Sequence, residues 1–201
     1  MDVSEFCRPS DRAGRDLERR AITDMSTARR TRGLILVNTG NGKGKTTAAI
    51  GTAFRALGHG MRVGLIQFIK GKWKTGERKL GEQTPNLTWL TMGHGFTWES
   101  LDLDRDREAA RAAWNIASAW LLDESYDLVI FDEITYVINY GFIPLDEVLS
   151  ALQSRRADLH VILTGRDAPA ELSAIADVVT EMQAVKHPYR DGVSAQKGIE
   201  F

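Results

Sequence analysis

The chain has a single cysteine, Cys7, so no internal disulfide can staple it, and its four histidines are too scattered to show a zinc-ligand spacing. Long apolar runs are missing too. None approaches the ~20 residues that a membrane-spanning helix needs. The N-terminus carries charge where a secretory leader would place its apolar segment. Nor is there an excess of one charge: 26 basic against 27 acidic side chains gives a net charge of −1. A protein that coats nucleic acid would need a large basic surplus. These absences predict a cytoplasmic protein with no membrane and no nucleic-acid partner.

What is present suits one α/β domain: 201 residues, 43% hydrophobic and 26% charged. Residues 1–32 stand apart, with Arg8, Arg12, Arg15, Arg19, Arg20, Arg29, Arg30 and Arg32 among acids and few large apolar residues. This charged N-terminal arm cannot build a core. It is either a disordered tail or an arm that closes over a site or a partner subunit.

From Gly33 to residue 201 the pattern changes to short apolar runs separated by helical segments. Leu34–Val37, Val63–Ile69, Leu87–Met92, Leu128–Phe131, Val161–Leu163 and Asp177–Met182 read as six strands. Helices are expected after the first strand up to Gly58 and Gly60, over Asp104–Leu122, and over Leu145–Gln153, with Trp114 and Trp120 as packing residues. Strands alternating with helices need crossovers. They therefore predict a mostly parallel sheet with helices on both faces and ligands beyond the strand carboxyl ends.

The polar clusters follow strands as that architecture requires. Thr39-Gly40-Asn41-Gly42-Lys43-Gly44-Lys45-Thr46-Thr47 lies between a buried strand and an amphipathic helix. Glycines let backbone amides converge on phosphate oxygens at a helix N-terminus, Lys45 would reach the terminal phosphates, and Thr46 offers a hydroxyl to magnesium. Thr39 stands where the generic loop has glycine. Leu128-Val129-Ile130-Phe131-Asp132-Glu133 ends an apolar strand in two acids, which could orient the metal or, for Asp132, only cap the next turn. Together these segments indicate a P-loop NTPase-like site for ATP or GTP, though not its reaction. Gly95-Phe96-Thr97-Trp98-Glu99 places two aromatics in a glycine-flanked loop, either for a flat apolar ligand or for the domain's own core. Thr164-Gly165-Arg166 follows the fifth strand, where Arg166 could hold phosphate or ribose. Gln67, Lys70 and Arg78 lie where side groups of a nucleotide or of a second ligand could be reached, and the role of His187 stays open.

Thr39–Thr47, Gln67-Phe68-Ile69-Lys70-Gly71, Gly95–Glu99, Asp132-Glu133, Thr164–Arg166, Val185–Tyr189 and Gly198–Phe201 together resemble, in order, the ATP:corrinoid adenosyltransferase family. Thr39 fits that family's own version of the loop. The resemblance implies transfer of the 5′-deoxyadenosyl group of ATP to the Co(I) of a corrinoid, with triphosphate released, in adenosylcobalamin biosynthesis or salvage. It implies ATP lying reversed in the loop, with Lys45 and magnesium (or manganese) stabilising the leaving triphosphate. Phe96 and Trp98 would be an apolar wedge excluding the lower cobalt ligand. A homodimer and an electron-donating flavoprotein or other reductase are also implied. Two rivals remain from the residues alone: a phosphoryl-transfer ATPase or small-molecule kinase, which would yield ADP, and a nucleic-acid-associated ATP-binding module using the arginine-rich arm.

Overall fold

Apolar runs without alternation become strands because both faces of each need cover. The computed structural model describes residues 31–69, 75–91 and 103–200. The arm up to residue 30, Lys70, and the loop with Phe96 and Trp98 lie outside the described residues. Among the described residues six strands are present: β1 (Ile35–Thr39), β2 (Val63–Gln67), β3 (Leu87–Thr91), β4 (Leu128–Asp132), β5 (His160–Thr164) and β6 (Val178–Glu181). Every pairing is parallel, in the order β3-β2-β4-β5-β1-β6.

Side chains divide between the faces with the strand period of two. Leu128 and Ile130 of β4 join Val63, Leu65 and Ile162 beneath α1 (Lys45–Gly58). Helix α1 turns Ala49, Ile50, Ala53 and Ala56 to the sheet. Three of these four are alanine, which combines high helix propensity with a close approach to the strands. Its end is marked by Gly60, whose φ of 76° a side chain would resist.

Val129 and Phe131 point to the other face, into a larger core built with α3 (Leu103–Trp120) and α5 (Leu145–Gln153). Trp114 and Phe68 each meet Phe131 edge-on at 6.2 Å between ring centroids. Trp114 and Trp120 are buried, in keeping with the packing role expected of them. Three short helices, α2 (Gly76–Gly81), α4 (Ile134–Asn139) and α6 (Ala170–Ile175), were not anticipated. At six residues each they are too short for an apolar period to emerge. Among the described residues no helix is long and apolar enough to cross a membrane.

Candidate functional site

The strand tips converge on the loop between β1 and α1. Gly44 enters α1 with φ 112°, a left-handed conformation natural to glycine. Gly40 and Gly42 are needed for a further reason: β6 continues past them. A Cβ on Gly40 would lie 2.5 Å from the Met182 carbonyl oxygen, and one on Gly42 would lie 2.7 Å from the Gln183 backbone. The Gly42 N–H donates to that same Met182 oxygen at 2.5 Å. Lys45 folds inward and donates to the carbonyls of Gly40 (2.7 Å) and Gly42 (2.8 Å). Burial lowers its pKa, opposed chiefly by the charges of Glu133 and Asp132. Thr39, the departure from the generic loop, accepts the Ala168 N–H on its hydroxyl at 3.2 Å and ties β1 to the turn after β5.

Asp132 is the hub of the site. It is buried at the tip of β4, and its Oδ1 accepts from Thr46 Oγ1 (2.8 Å) and Thr164 Oγ1 (2.7 Å) while Oδ2 accepts from Gln67 Nε2 (3.1 Å). Burial pushes its carboxyl upward, and these three donors oppose that shift. The Thr46 proton is directed at Asp132, so the lone pairs of that hydroxyl are left for another partner. The Thr164 hydroxyl has its own direction set, because it accepts the Glu133 N–H at 2.9 Å.

Glu133 follows in a left-handed conformation, φ 62° and ψ 24°, at the start of α4. A non-glycine residue held there is strained backbone at a polar site. Burial, then the charge of Asp132, pushes its carboxyl up to about 7 against the pull of Lys45 and Arg166. Its Oε2 is buried and has no hydrogen-bond partner among the described residues.

Asn41, Gly42, Lys43, Gly44, Lys45, Thr46 and Thr47 line one pocket of about 440 Å³ with Gln67, Asp132, Glu133 and Arg166. Gly40 contributes through its carbonyl to Lys45 rather than as a wall. Arg78 does not line this pocket: its Nε is paired with Glu82 at 2.8 Å. The pocket also takes in Thr75, Glu77, Tyr136, His187, Ile199 and Glu200, which sequence reasoning did not assign to it. The carboxyl-terminal residues reach back more than 150 positions, and Glu200 pairs with Lys43 at 3.0 Å. Only the polar ending Lys197-Gly198-Ile199-Glu200 could have hinted at this. His187 has a local role besides, accepting the Tyr189 N–H on Nδ1 at the start of the 3₁₀ turn Pro188–Asp191.

Loop amides and Lys45 suit a polyphosphate. The Thr46 hydroxyl and the unpartnered Glu133 Oε2 suit a small hard cation. Among the described residues no group of three or more His, Cys, Asp or Glu side chains could hold an ion. A cation here would therefore be completed by water and phosphate oxygens, as magnesium commonly is.

Comparison with known proteins agrees with this geometry. The family described as ATP:corrinoid adenosyltransferase BtuR/CobO/CobP matches residues 31–201. A corrinoid adenosyltransferase of Pseudomonas aeruginosa is 46% identical over 186 residues, covering 91% of this chain and 92% of that one. Proteins of that name from Escherichia coli and Salmonella typhimurium are each 46% identical over 177 residues, covering 88% of this chain and 90% of theirs. With a parallel α/β sheet and a family match that spans all of its described residues, this chain belongs to the ATP:corrinoid adenosyltransferase family.

Proposed function

We propose that this protein transfers the 5′-deoxyadenosyl group of ATP to the cobalt of a Co(I) corrinoid in making adenosylcobalamin. The family match carries the reaction. The meeting of the phosphate loop with Asp132 and Glu133 in one pocket is the observation that supports giving parts of it to these residues. The electron pair of Co(I) attacks the ribose 5′-carbon and forms the Co–C bond. The C5′–O bond breaks with its pair on the departing triphosphate, and cobalt becomes formally Co(III).

Charge then builds on a leaving group rather than on a phosphoryl in flight. Loop amides from Asn41 to Thr47 and the Lys45 ammonium bind that triphosphate, and Arg166 adds a further positive charge. Magnesium or manganese would be held by Thr46 Oγ1 and Glu133, with Asp132 orienting Thr46, and when bound it would neutralise triphosphate charge. The roles of Phe96 and Trp98 rest on the resemblance: an apolar wedge that removes the lower cobalt ligand and makes Co(II) easier to reduce. Co(I) is too strongly reducing to persist free in aerobic solution, so a one-electron donor of the flavoprotein class is expected to act with this protein. A homodimer and a cytoplasmic setting belong to the same reading.

The test is an anaerobic incubation with ATP, magnesium and chemically reduced Co(I) cobalamin, following the corrinoid spectrum and separating phosphate products. A light-sensitive adenosylated corrinoid with stoichiometric triphosphate is expected. Release of ADP with an unchanged corrinoid would overturn adenosyl transfer in favour of phosphoryl transfer.

A further inference from the structure

Gln67 lines the pocket, yet most of its hydrogen-bonding capacity is spent inside the protein. The strand registers set Thr91, Gln67 and Asp132 abreast at the tips of β3, β2 and β4. Trp89 Nε1 and Thr91 Oγ1 both lie 3.1 Å from Gln67 Oε1. An indole N–H can only donate, so the amide oxygen must face β3 and the amide nitrogen must face Asp132. Its contact with Asp132 Oδ2 is 3.1 Å, and the other oxygen of that carboxylate receives Thr46 at 2.8 Å. Trp89 is itself held, since a Cβ on Gly81 of α2 would come within 2.4 Å of its ring. The orientation of the Gln67 amide is thus fixed from the sheet edge.

We infer that Gln67 is a positioning residue, one that transmits the placement of β3 through Asp132 to the metal-facing hydroxyl of Thr46. β3 is the strand whose chain continues, directly after Thr91, into the segment bearing Phe96 and Trp98. The relay Trp89–Gln67–Asp132–Thr46 therefore links the phosphate side to the strand that leads to the aromatic segment. The inference rests on the proposed reaction only for naming the two substrates. The linkage itself is a property of the hydrogen bonds.

The experiment uses the full chain labelled at the indole nitrogens, which gives one signal for each of the five tryptophans. Trp89→Phe identifies the Trp89 signal. Adding ATP and magnesium to the unsubstituted protein is expected to move that signal, and Gln67→Met, similar in volume but without the amide, is expected to abolish the response. Gln67→Met should also bind ATP roughly tenfold more weakly with magnesium, with a much smaller change in EDTA, and should raise KM for ATP more than it lowers kcat. Thr91→Val removes only a hydroxyl and should give a weaker version of the same pattern. It serves as the test if Gln67→Met does not melt cooperatively. A Trp89 signal that ignores the nucleotide, or that moves equally in Gln67→Met, would overturn the inference. So would equal weakening with and without magnesium. If the Trp89 response appears but Co(I) is not adenosylated, the reaction is wrong and the relay stands. Adenosylation with an unresponsive Trp89 means the reverse.

Discussion

The two edges of the sheet support the site in different ways. At the β6 edge all four strand residues are exposed, and the chain beyond them meets the phosphate loop backbone to backbone, at Met182 and Gln183 against Gly40 and Gly42. At the β3 edge the support comes through side chains, Trp89 and Thr91 onto Gln67. A backbone contact specifies an absence, because any Cβ collides. A side-chain contact specifies a chemical group, and its loss leaves shape intact but polarity wrong. The first edge should therefore fail abruptly on substitution and the second gradually.

The sharpest way to break this contrast is Gly42→Ala or Gly40→Ala. Each should destabilise the protein by roughly 2–4 kcal/mol and abolish measurable ATP binding, as read by thermal melting and calorimetry. Gly51→Ala provides the control: it lies within α1 with nothing within 4 Å of an added Cβ, and it should stabilise by about 0.5–1 kcal/mol. If Gly42→Ala behaves like Gly51→Ala, the close approach at the β6 edge is not a constraint.

Between the edges, Asp132→Asn puts an amide where three donors converge, so at least one buried donor loses its acceptor. Weakening of magnesium-dependent ATP binding by roughly 2–3 kcal/mol is expected, short of the glycine effects. At the β3 edge, Thr91→Val and Gln67→Met should be non-additive, with a coupling of about 0.5–1.5 kcal/mol in a double-mutant cycle on ATP binding. Thr91→Val paired with Asp177→Asn, on opposite edges, should be additive.

The smallest effect concerns Asp177 just before β6. It accepts from Arg32 and from the Ile35 N–H at 2.9 Å, and the Arg32 hydrogen bond, first, holds its carboxyl below the ordinary value. A depressed folded pKa contributes stability that is complete above the unfolded value and is lost as pH falls through the folded one. Melting temperatures of the unsubstituted protein should thus fall faster below about pH 4 than those of Asp177→Asn.

How much of this was legible in the sequence follows from the range of each interaction. β1 and β4 announced themselves because a buried strand must be apolar on both faces, and the phosphate loop because its chemistry is local. Asp177–Met182 was readable as a strand although β6 is exposed, since its valines still favour extended backbone. The hidden parts depend on residues far apart in the chain. Glu200 meets Lys43 from 157 positions further along the chain. Glu133 reads as a second acid, and nothing local announces its left-handed backbone or its unpartnered oxygen. The direction of the Gln67 amide is settled by a tryptophan that sequence patterning treats as just another apolar residue of β3.

Strand order carries one more consequence. β5 lies between β1 and β4, so the phosphate loop and the acid it meets start two strand spacings apart, about 9.5 Å. Thr46 nevertheless reaches Asp132, which means the loop and the start of α1 form an arch with the tip of β5 as its floor. That floor is kept low by Thr164, whose hydroxyl is already committed to Asp132, and by Gly165, where a Cβ would strike Thr135 at 2.0 Å. The span is set in whole strands. A chain with this topology can change what lines the arch by single substitutions, but it cannot widen the opening by small steps.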